Sequence, residues 1–414
     1  MRRVGAYLRS LDPRLPHSVW ILNAGGLMNA VGTGMAYPFV VIYLHNVRGF
    51  SLGISGLIVA ASGAAGIVCG PAIGVVIDKI GGRLTLAGAL ILQAIGWGSF
   101  PLVQEPWHGV LAAIVAGIGN AGFWPSQSAL LAGLTSQARR HGAFALQRVT
   151  RNLGIGLGGL LGGLIATTSD ASSFTVLFTV NALTFFLFVG MLFFVPDPEI
   201  AAADPNMPRG GYLDVLRNHV FLGIAGLNVV FVTAGYAQIE LLPVFAKNEA
   251  GVSEREIGLI FFLNTVIVAV AQLPVAKLLE GRSRMRSLAA MCVLWAVSWI
   301  FVFIGGAAFE AAAAVAIFSF AVILFGLGEC FQGPVQGALV ADLAPPRLRG
   351  RYMAVSTNSW DLGFLLGPAI GGFILAAEPL ALWPLAALAC LAAGAGALSL
   401  ESRLPPRWRS SPSR

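Results

Sequence analysis

Twelve apolar runs of about 20 residues or more follow one another along this 414-residue chain, and a run of that length is what an α-helix needs to cross a bilayer. They cover roughly 18–45, 52–77, 84–104, 109–134, 142–168, 172–195, 220–246, 256–278, 287–308, 311–340, 352–376 and 380–400. Only 11% of the residues are charged, against about 25% in a soluble domain, so there are too few polar groups to cover a water-facing surface. No period-two alternation runs through the chain, which argues against an outer-membrane barrel. The expected fold is an all-α multi-pass membrane protein with twelve transmembrane helices. Segments five, seven, ten and eleven carry charges in their interiors, whereas segment eight has them only at its two ends.

The connections are mostly short. The longest, "PDPEIAAADPNMPRGGYLDVLRN" from Pro196 to Asn218, is rich in Pro, Gly and Asp and reads as a linker. It divides the chain into a six-helix bundle over 1–195, a cytoplasmic linker over 196–218 and a second six-helix bundle over 219–414. The two halves repeat each other. At an offset of 209, "GIGNAGFWPSQSAL" (Gly117–Leu130) aligns without gaps on "GLGECFQGPVQGAL" (Gly326–Leu339), and "NLGIGLGGLLGG" (Asn152–Gly163) on "DLGFLLGPAIGG" (Asp361–Gly372). At an offset of 202, "SLGISGLI" (Ser51–Ile58) meets "SEREIGLI" (Ser253–Ile260). A tandem duplication of six helices is how many secondary transporters are built, with the substrate site between the halves.

Charge sets the orientation. With both termini in the cytoplasm, 21 of the 26 Lys and Arg residues fall on that side, Arg48, Lys247 and Arg255 fall on the other, and Arg148 and Arg151 lie within segment five. The net charge of +7 therefore faces an anionic leaflet and is not a nucleic-acid footprint. The start, "MRRVGAYLRSLDPR", precedes an apolar run too long for a cleaved signal peptide. The four cysteines lie in apolar runs without CxxC spacing and the five histidines lie near segment ends, so neither a disulfide framework nor a metal site is expected, and no cofactor motif is found. The glycines of "GLGE" and "GIGN" follow no strand, which removes a nucleotide-binding reading.

The loop between segments two and three reads "GVVIDKIGGR" (Gly74–Arg83). A turn needs only the glycines, so the charges need another role. The stretch resembles the GxxxD(R/K)xG(R/K)(R/K) signature of the major facilitator superfamily: Gly74, Asp78, Lys79, Gly81 and Arg83 match, and Gly82 replaces one basic position. The resemblance implies a cytoplasmic gate in which Asp78 meets the start of helix eleven, here near Arg349–Tyr352, when the cavity opens outward. A degraded copy, "KLLEGRSR", follows segment eight, with Glu280 in the place of the Asp. "LGPAIGG" in segment eleven, with Gly363 upstream, is similar to the glycine-proline pattern that antiporters of this superfamily carry in helix five; Gly363, Gly367, Pro368 and Gly371 are its helix-packing residues. Segment five itself has Gly159 where the proline is expected, and segment four has Ala113 near the position of an antiporter arginine. The chain most resembles the twelve-helix drug:proton antiporters of the superfamily.

Ionisable residues inside a membrane are expensive and are functional candidates. A carboxyl removed from water can take up and release a proton near neutral pH. Glu329 and Asp361 are proton-coupling candidates, set at similar depth by residue count, and Glu240 in segment seven is a third. The repeat pairs Glu329 with Asn120 and Asp361 with Asn152, so acidity is confined to the second half. Segment four stacks Asn120, Trp124 and Gln127 on one face. Segment ten offers Glu329, Gln332 and Gln336, segment one Asn29, Thr33 and Tyr37, and segment eight Asn264 and Gln272. With Tyr236 and Trp360, these make a mixed aromatic and carboxylate cavity suited to amphipathic, often cationic, small molecules.

The leading expectation is a proton-coupled exporter in the bacterial cytoplasmic membrane, exchanging protons for a small organic substrate and acting as a monomer. The alternative is a uniporter or symporter for an anionic or lipid-like metabolite held by Arg148 and Arg151. A membrane receptor or enzyme is the remote alternative: no loop is long enough for a sensor domain, and no nucleophile–base pair is found.

Overall fold

The computed structural model describes residues 15–197, 212–309, 311–345 and 348–410. The basic start and most of the Pro-rich linker (residues 198–211) lie outside the described residues. Twelve long helices are present: α1 (His17–Ala36), α2 (Leu52–Ile80), α3 (Gly82–Ser99), α4 (Pro106–Gly133), α5 (Gln137–Ile165), α6 (Ala171–Leu192), α7 (His219–Ala234), α8 (Glu254–Leu278), α9 (Arg284–Ala308), α10 (Ala311–Leu343), α11 (Arg349–Ala377) and α12 (Leu382–Glu401). Among the described residues there is no β-strand, only an isolated bridge between Ser283 and Ser410.

Local chemistry fixes where helices begin and turn. Glu105 and His108 form a capping box at the start of α4, with Pro106 at its first position, and Ser253 and Glu256 do the same for α8. Four glycines among the described residues have positive φ, a conformation other residues rarely adopt. Gly49 and Gly251 follow α1 and α7, while Gly81 and Gly281 follow α2 and α8. They fall into two matching pairs, one for each half.

The packing repeats as well. In the first half α1 packs on α5 and α6, α2 on α4, and α3 on α4 and α6. In the second, α7 packs on α11 and α12, α8 on α10, and α9 on α10 and α12. This is a pair of pseudo-repeated six-helix bundles. They meet through two long helix pairs, α2 with α11 and α5 with α8.

Ten of the long helices are apolar enough, by length and composition, to cross a membrane; α5 is the most polar of the twelve and carries Arg148 and Arg151 in its interior. Helices seven, ten and eleven pass that test despite their interior charges. α5 packs against α8 between the halves, where its polar groups face protein or a cleft and not lipid tails.

Small residues set the approach of the halves. A side chain at Gly258 would lie 2.9 Å from the Cα of Gly163, and one at Gly372 would lie 3.1 Å from the Cα of Gly56. The repeat superposes these crossings, since Gly56 corresponds to Gly258 and Gly163 to Gly372. Both lie near the face opposite most of the Lys and Arg residues, called here the far face; the other is the basic face. Toward the basic face α2 and α11 separate. A side chain at Gly70 would stand 3.7 Å from Asn358, whereas at Gly74, one turn further, nothing lies within 4 Å.

Helix α7 is broken in mid-membrane. It ends at Ala234, Gly235 adopts φ −107° and ψ −90°, and a 3-10 turn (Tyr236–Glu240) leads into the short helix Leu242–Ala250. The break frees carbonyls that lipid could not satisfy. Trp299 Nε1 donates to the Ala234 carbonyl at 2.7 Å, and Gln238 Nε2 donates to that of Thr233 at 2.7 Å. The Trp295 ring fills the space beside Gly235 and leaves no room for a side chain there. Helix α1 is interrupted at the matching place by the 3-10 turn Tyr37–Phe39, which contains Pro38.

Candidate functional site

The paired breaks bring together the first two candidate residues. The Tyr37 hydroxyl donates to Glu240 Oε1, joining α1 to the outer part of α7. Glu240 is buried and its Oε2 has no partner among the described residues. Nearer the far face, Asn46 Nδ2 donates to Asn248 Oδ1 at 2.8 Å. Glu254, at the head of α8, accepts from the Thr168 backbone N–H at 2.8 Å and from Lys247 Nζ at 2.9 Å. The halves are thus tied together along the far face.

On the basic side of these ties lies a charged cleft. Glu329 on α10 has Asn264 and Tyr236 within hydrogen-bonding reach, and it lies in the field of Arg148 and Arg151 on α5. Among the described residues no carboxylate forms an ion pair with either arginine. Arg148 Nη2 donates to Gln272 Oε1 on α8 at 3.2 Å, so it reaches across to the second half. Its guanidinium occupies the space that a side chain at Gly333 would need. Arg151 stays with the first half, 4.4 Å over the ring of Trp124, a cation–π contact that offsets part of its desolvation. Trp124 and Gly333 are counterparts in the repeat, so the two arginines lie over equivalent positions on α4 and α10. Tyr236 extends the aromatic wall, with its ring centroid 5.0 Å from those of Trp295 and Trp360.

Several expected residues lie elsewhere. Asp361 does not join Glu329; its carboxyl group packs over Gly66 of α2, 3.2 Å from where a side chain there would begin, and it makes no side-chain hydrogen bond or ion pair among the described residues. Gln336 is buried inside the second half, where it accepts from Gln332 and donates to Asn228, which in turn donates to Ser359 Oγ at 2.7 Å. Gln127 is buried against Gly26 of α1, and Asn29 is buried with its Nδ2 unpartnered among the described residues. Asn120 is exposed one turn from Trp124, and Asn152 is half-buried. Gly363, Gly367 and Gly371 pack α11 against α7, while Pro368 packs it against Gly56 of α2.

At the gate motif, Arg83 Nη1 donates to the Val195 carbonyl at 3.1 Å, and its Nε lies 3.8 Å from Asp197, both at the end of α6. Lys79 and Glu280 are exposed. The side chains of Asp78 and Arg349 lie outside the described residues, so the expected latch falls outside them too. In the second half it is Arg284, the buried last residue of the degraded copy, that finds an acid, Asp342 on α10 at 2.7 Å. Asn228, Ser359, Asn46 and Asn248 are polar residues that the sequence reading missed. For the last two a signal existed, since they are counterparts in the repeat.

The family model of the Major Facilitator Superfamily matches residues 22–248 and again residues 224–414. The chain belongs to the Major Facilitator Superfamily. It is thus a membrane transporter and not an enzyme, and its substrate is a small molecule. Among superfamily relatives it is 26% identical, over 86% of each chain, to the uncharacterized MFS-type transporter YqjV of Bacillus subtilis. It is 25% identical to the multidrug resistance protein MdtH of Aeromonas salmonicida, over 85% of this chain and 86% of that one. The superfamily fold is also that of the nucleoside transporter NupG, with a TM-score of 0.72 at 13% identity, over 93% of this chain and 99% of that one.

Proposed function

We propose that this chain is a proton-coupled exporter of amphipathic small organic molecules that carry a positive group. The observation that carries the reading is Glu329, an intramembrane carboxylate without a counter-cation at ion-pair distance among the described residues, set beside Tyr236, whose ring packs on Trp360. The similarity to a multidrug resistance protein supports the same reading.

The basic face is the cytoplasmic one, in keeping with the distribution of Lys and Arg, and the membrane is the bacterial cytoplasmic membrane. Residues 1–195 and 219–414 rock as two bodies joined by 196–218, and the chain works as a monomer. Substrate enters from the cytoplasm and its cationic group rests on ionised Glu329. The ties along the far face then open. A proton from outside neutralises Glu329 and removes the attraction, and the substrate leaves. Glu240 and Asp361 are further carboxyls able to carry protons in the cycle.

A second reading is favoured by one observation: Arg148 and Arg151 lie in the cleft without a carboxylate partner among the described residues. A uniporter or symporter for an anionic or lipid-like metabolite would use them as ligands.

Reconstitution in liposomes under an imposed pH gradient tests both. Lumenal pH is followed while lipophilic cations are added, for wild type, Glu329→Gln and Asp361→Asn. Substrate-dependent proton movement that disappears in Glu329→Gln supports export by antiport. No proton movement with cations, together with uptake of an anion that Arg151→Ala abolishes, supports the second reading.

A further inference from the structure

We infer that the preferred substrate of this cleft is a zwitterion, an amphipathic molecule carrying both a cationic and an anionic group, with Arg148 as the ligand of its anionic end. The inference rests on the exporter reading and adds to it the sign of a second charge. Its ground is a count of charges at one level of the cleft. Arg148 and Arg151 stand close enough to repel each other, and among the described residues only one carboxylate, Glu329, shares their field. Asp361 is turned toward α2 and Glu240 is bonded to Tyr37. The local sum is positive even with Glu329 ionised, and it becomes more so when Glu329 takes a proton. A molecule with only a positive charge would meet net repulsion there. A molecule with a positive and a negative group fits, with the first on Glu329 and the second on the arginines.

The arginines are not equivalent for that task. Arg151 is committed to the face of Trp124. Arg148 spends one Nη on Gln272 and, among the described residues, keeps the rest of its donor fork free for a bidentate carboxylate or phosphate contact. Gly333 makes this possible. Its counterpart in the first half is Trp124, and even a methyl group at position 333 would lie on the Arg148 guanidinium. Gly333 is therefore a positioning residue, which holds the arginine at the second half by leaving its space empty. The flat rings of Trp124, Tyr236 and Trp360 would carry the apolar body between the two charged ends.

The test uses one dye skeleton in three charge forms. Rhodamine B carries a xanthene cation and a free carboxylate, its ethyl ester carries the cation alone, and fluorescein is a xanthene anion. Binding to the purified protein is followed by fluorescence polarisation, and proton movement by lumenal pH in liposomes. The wild type is expected to bind rhodamine B about tenfold or more tightly than the ester, the size of one charge-assisted contact. Arg148→Gln is expected to bring the two dyes to comparable affinity. Gly333→Ala, which keeps both charges and moves only the arginine, is expected to remove most of the preference, and it answers the question if Arg148→Gln fails to fold. The inference is overturned if the ester binds as tightly as rhodamine B, if the preference survives both substitutions, or if fluorescein binds best. Proton movement driven by the ester with no preference for the zwitterion would leave the exporter reading standing and remove this one. Tight, Arg148-dependent binding of rhodamine B without proton movement by any dye would do the reverse.

Discussion

Asn46 donates a hydrogen bond to Asn248 at 2.8 Å, and the two residues stand 202 positions apart, the offset that superposes the first half's "SLGISGLI" on "SEREIGLI". Each is thus the other's counterpart, and a pair of counterparts in contact has to lie beside the pseudo-two-fold axis that relates the halves. Both side chains are exposed on the far face, where the bond can be broken or locked from solution.

That position gives the first prediction. A double variant, Asn46→Cys with Asn248→Cys, treated with a short bifunctional thiol reagent, is expected to lose transport and to regain it on reduction. The native cysteines interfere little, since three of the four are buried. Cross-linked protein that still transports at the uncross-linked rate would show that the far face need not open.

The second prediction concerns the next pair along the axis, Tyr37 and Glu240, joined by the Tyr37 hydroxyl. Glu240 is buried and one of its oxygens is already unpartnered. Removing the donor leaves the whole carboxyl without a hydrogen bond, which costs about 1–3 kcal/mol. Tyr37→Phe is expected to lower the thermal midpoint in detergent by several degrees. Glu240→Gln can still accept from the tyrosine and is expected to lower it less. Equal midpoints for wild type and Tyr37→Phe would mean that the bond does not contribute.

Much of this arrangement is legible in the sequence, and what is not has a physical reason. The duplication is visible in the aligned segments, and the positive-φ pairs Gly49 with Gly251 and Gly81 with Gly281 follow it in the structure. Residue counting placed Glu329 and Asp361 at one depth, but depth along a helix says nothing about direction around it. The direction of Asp361 was available: it shares a face with Leu365, Pro368 and Gly372, and that face packs on α2, while Gly363, Gly367 and Gly371 form the face on α7. The break after Ala234 was not legible, because it depends on two tryptophans, Trp295 and Trp299, that arrive from α9. Gln336 was read as a cavity residue because an intramembrane glutamine needs a partner; its partners, Gln332 and Asn228, are supplied within its own half.

The glycine crossings give the third prediction. A methyl group at Gly258 would lie 2.7 Å from the carbonyl oxygen of Gly159, and one at Gly372 would lie 2.7 Å from that of Leu52. The obstructing atoms are backbone, so relief has to come from separating the helices. Gly258→Ala and Gly372→Ala are each expected to weaken closure at the far face, and a cysteine at position 248 should then react faster, by about tenfold, with a charged thiol reagent added from that side. Gly74→Ala meets nothing within 4 Å and is expected to leave that rate unchanged. Slower reaction in the first two variants, or a tenfold change in the third, would contradict the geometry.

The last prediction separates buried polar groups that hold the fold from those that face the cleft. Asn228 accepts from Gln336 and donates to Ser359 Oγ, tying α7 to α10 and α11 inside the second half. Among buried side chains every member of such a network depends on the others. Asn228→Ala strands the Gln336 amide, takes one of its two partners from Ser359 Oγ, which still donates to the Ser356 carbonyl, and leaves a small void, for a loss of about 2–4 kcal/mol. Asn120, exposed and without a side-chain hydrogen bond among the described residues, has nothing comparable to lose. Asn228→Ala is therefore expected to unfold at a markedly lower temperature than wild type while Asn120→Ala stays within about 1 kcal/mol of it, as read by thermal unfolding of the purified proteins in one detergent. If substrate affinity, measured well below both midpoints, falls in Asn120→Ala and not in Asn228→Ala, the division between cleft and scaffold holds. If the affinities change the other way round, the network belongs to the site.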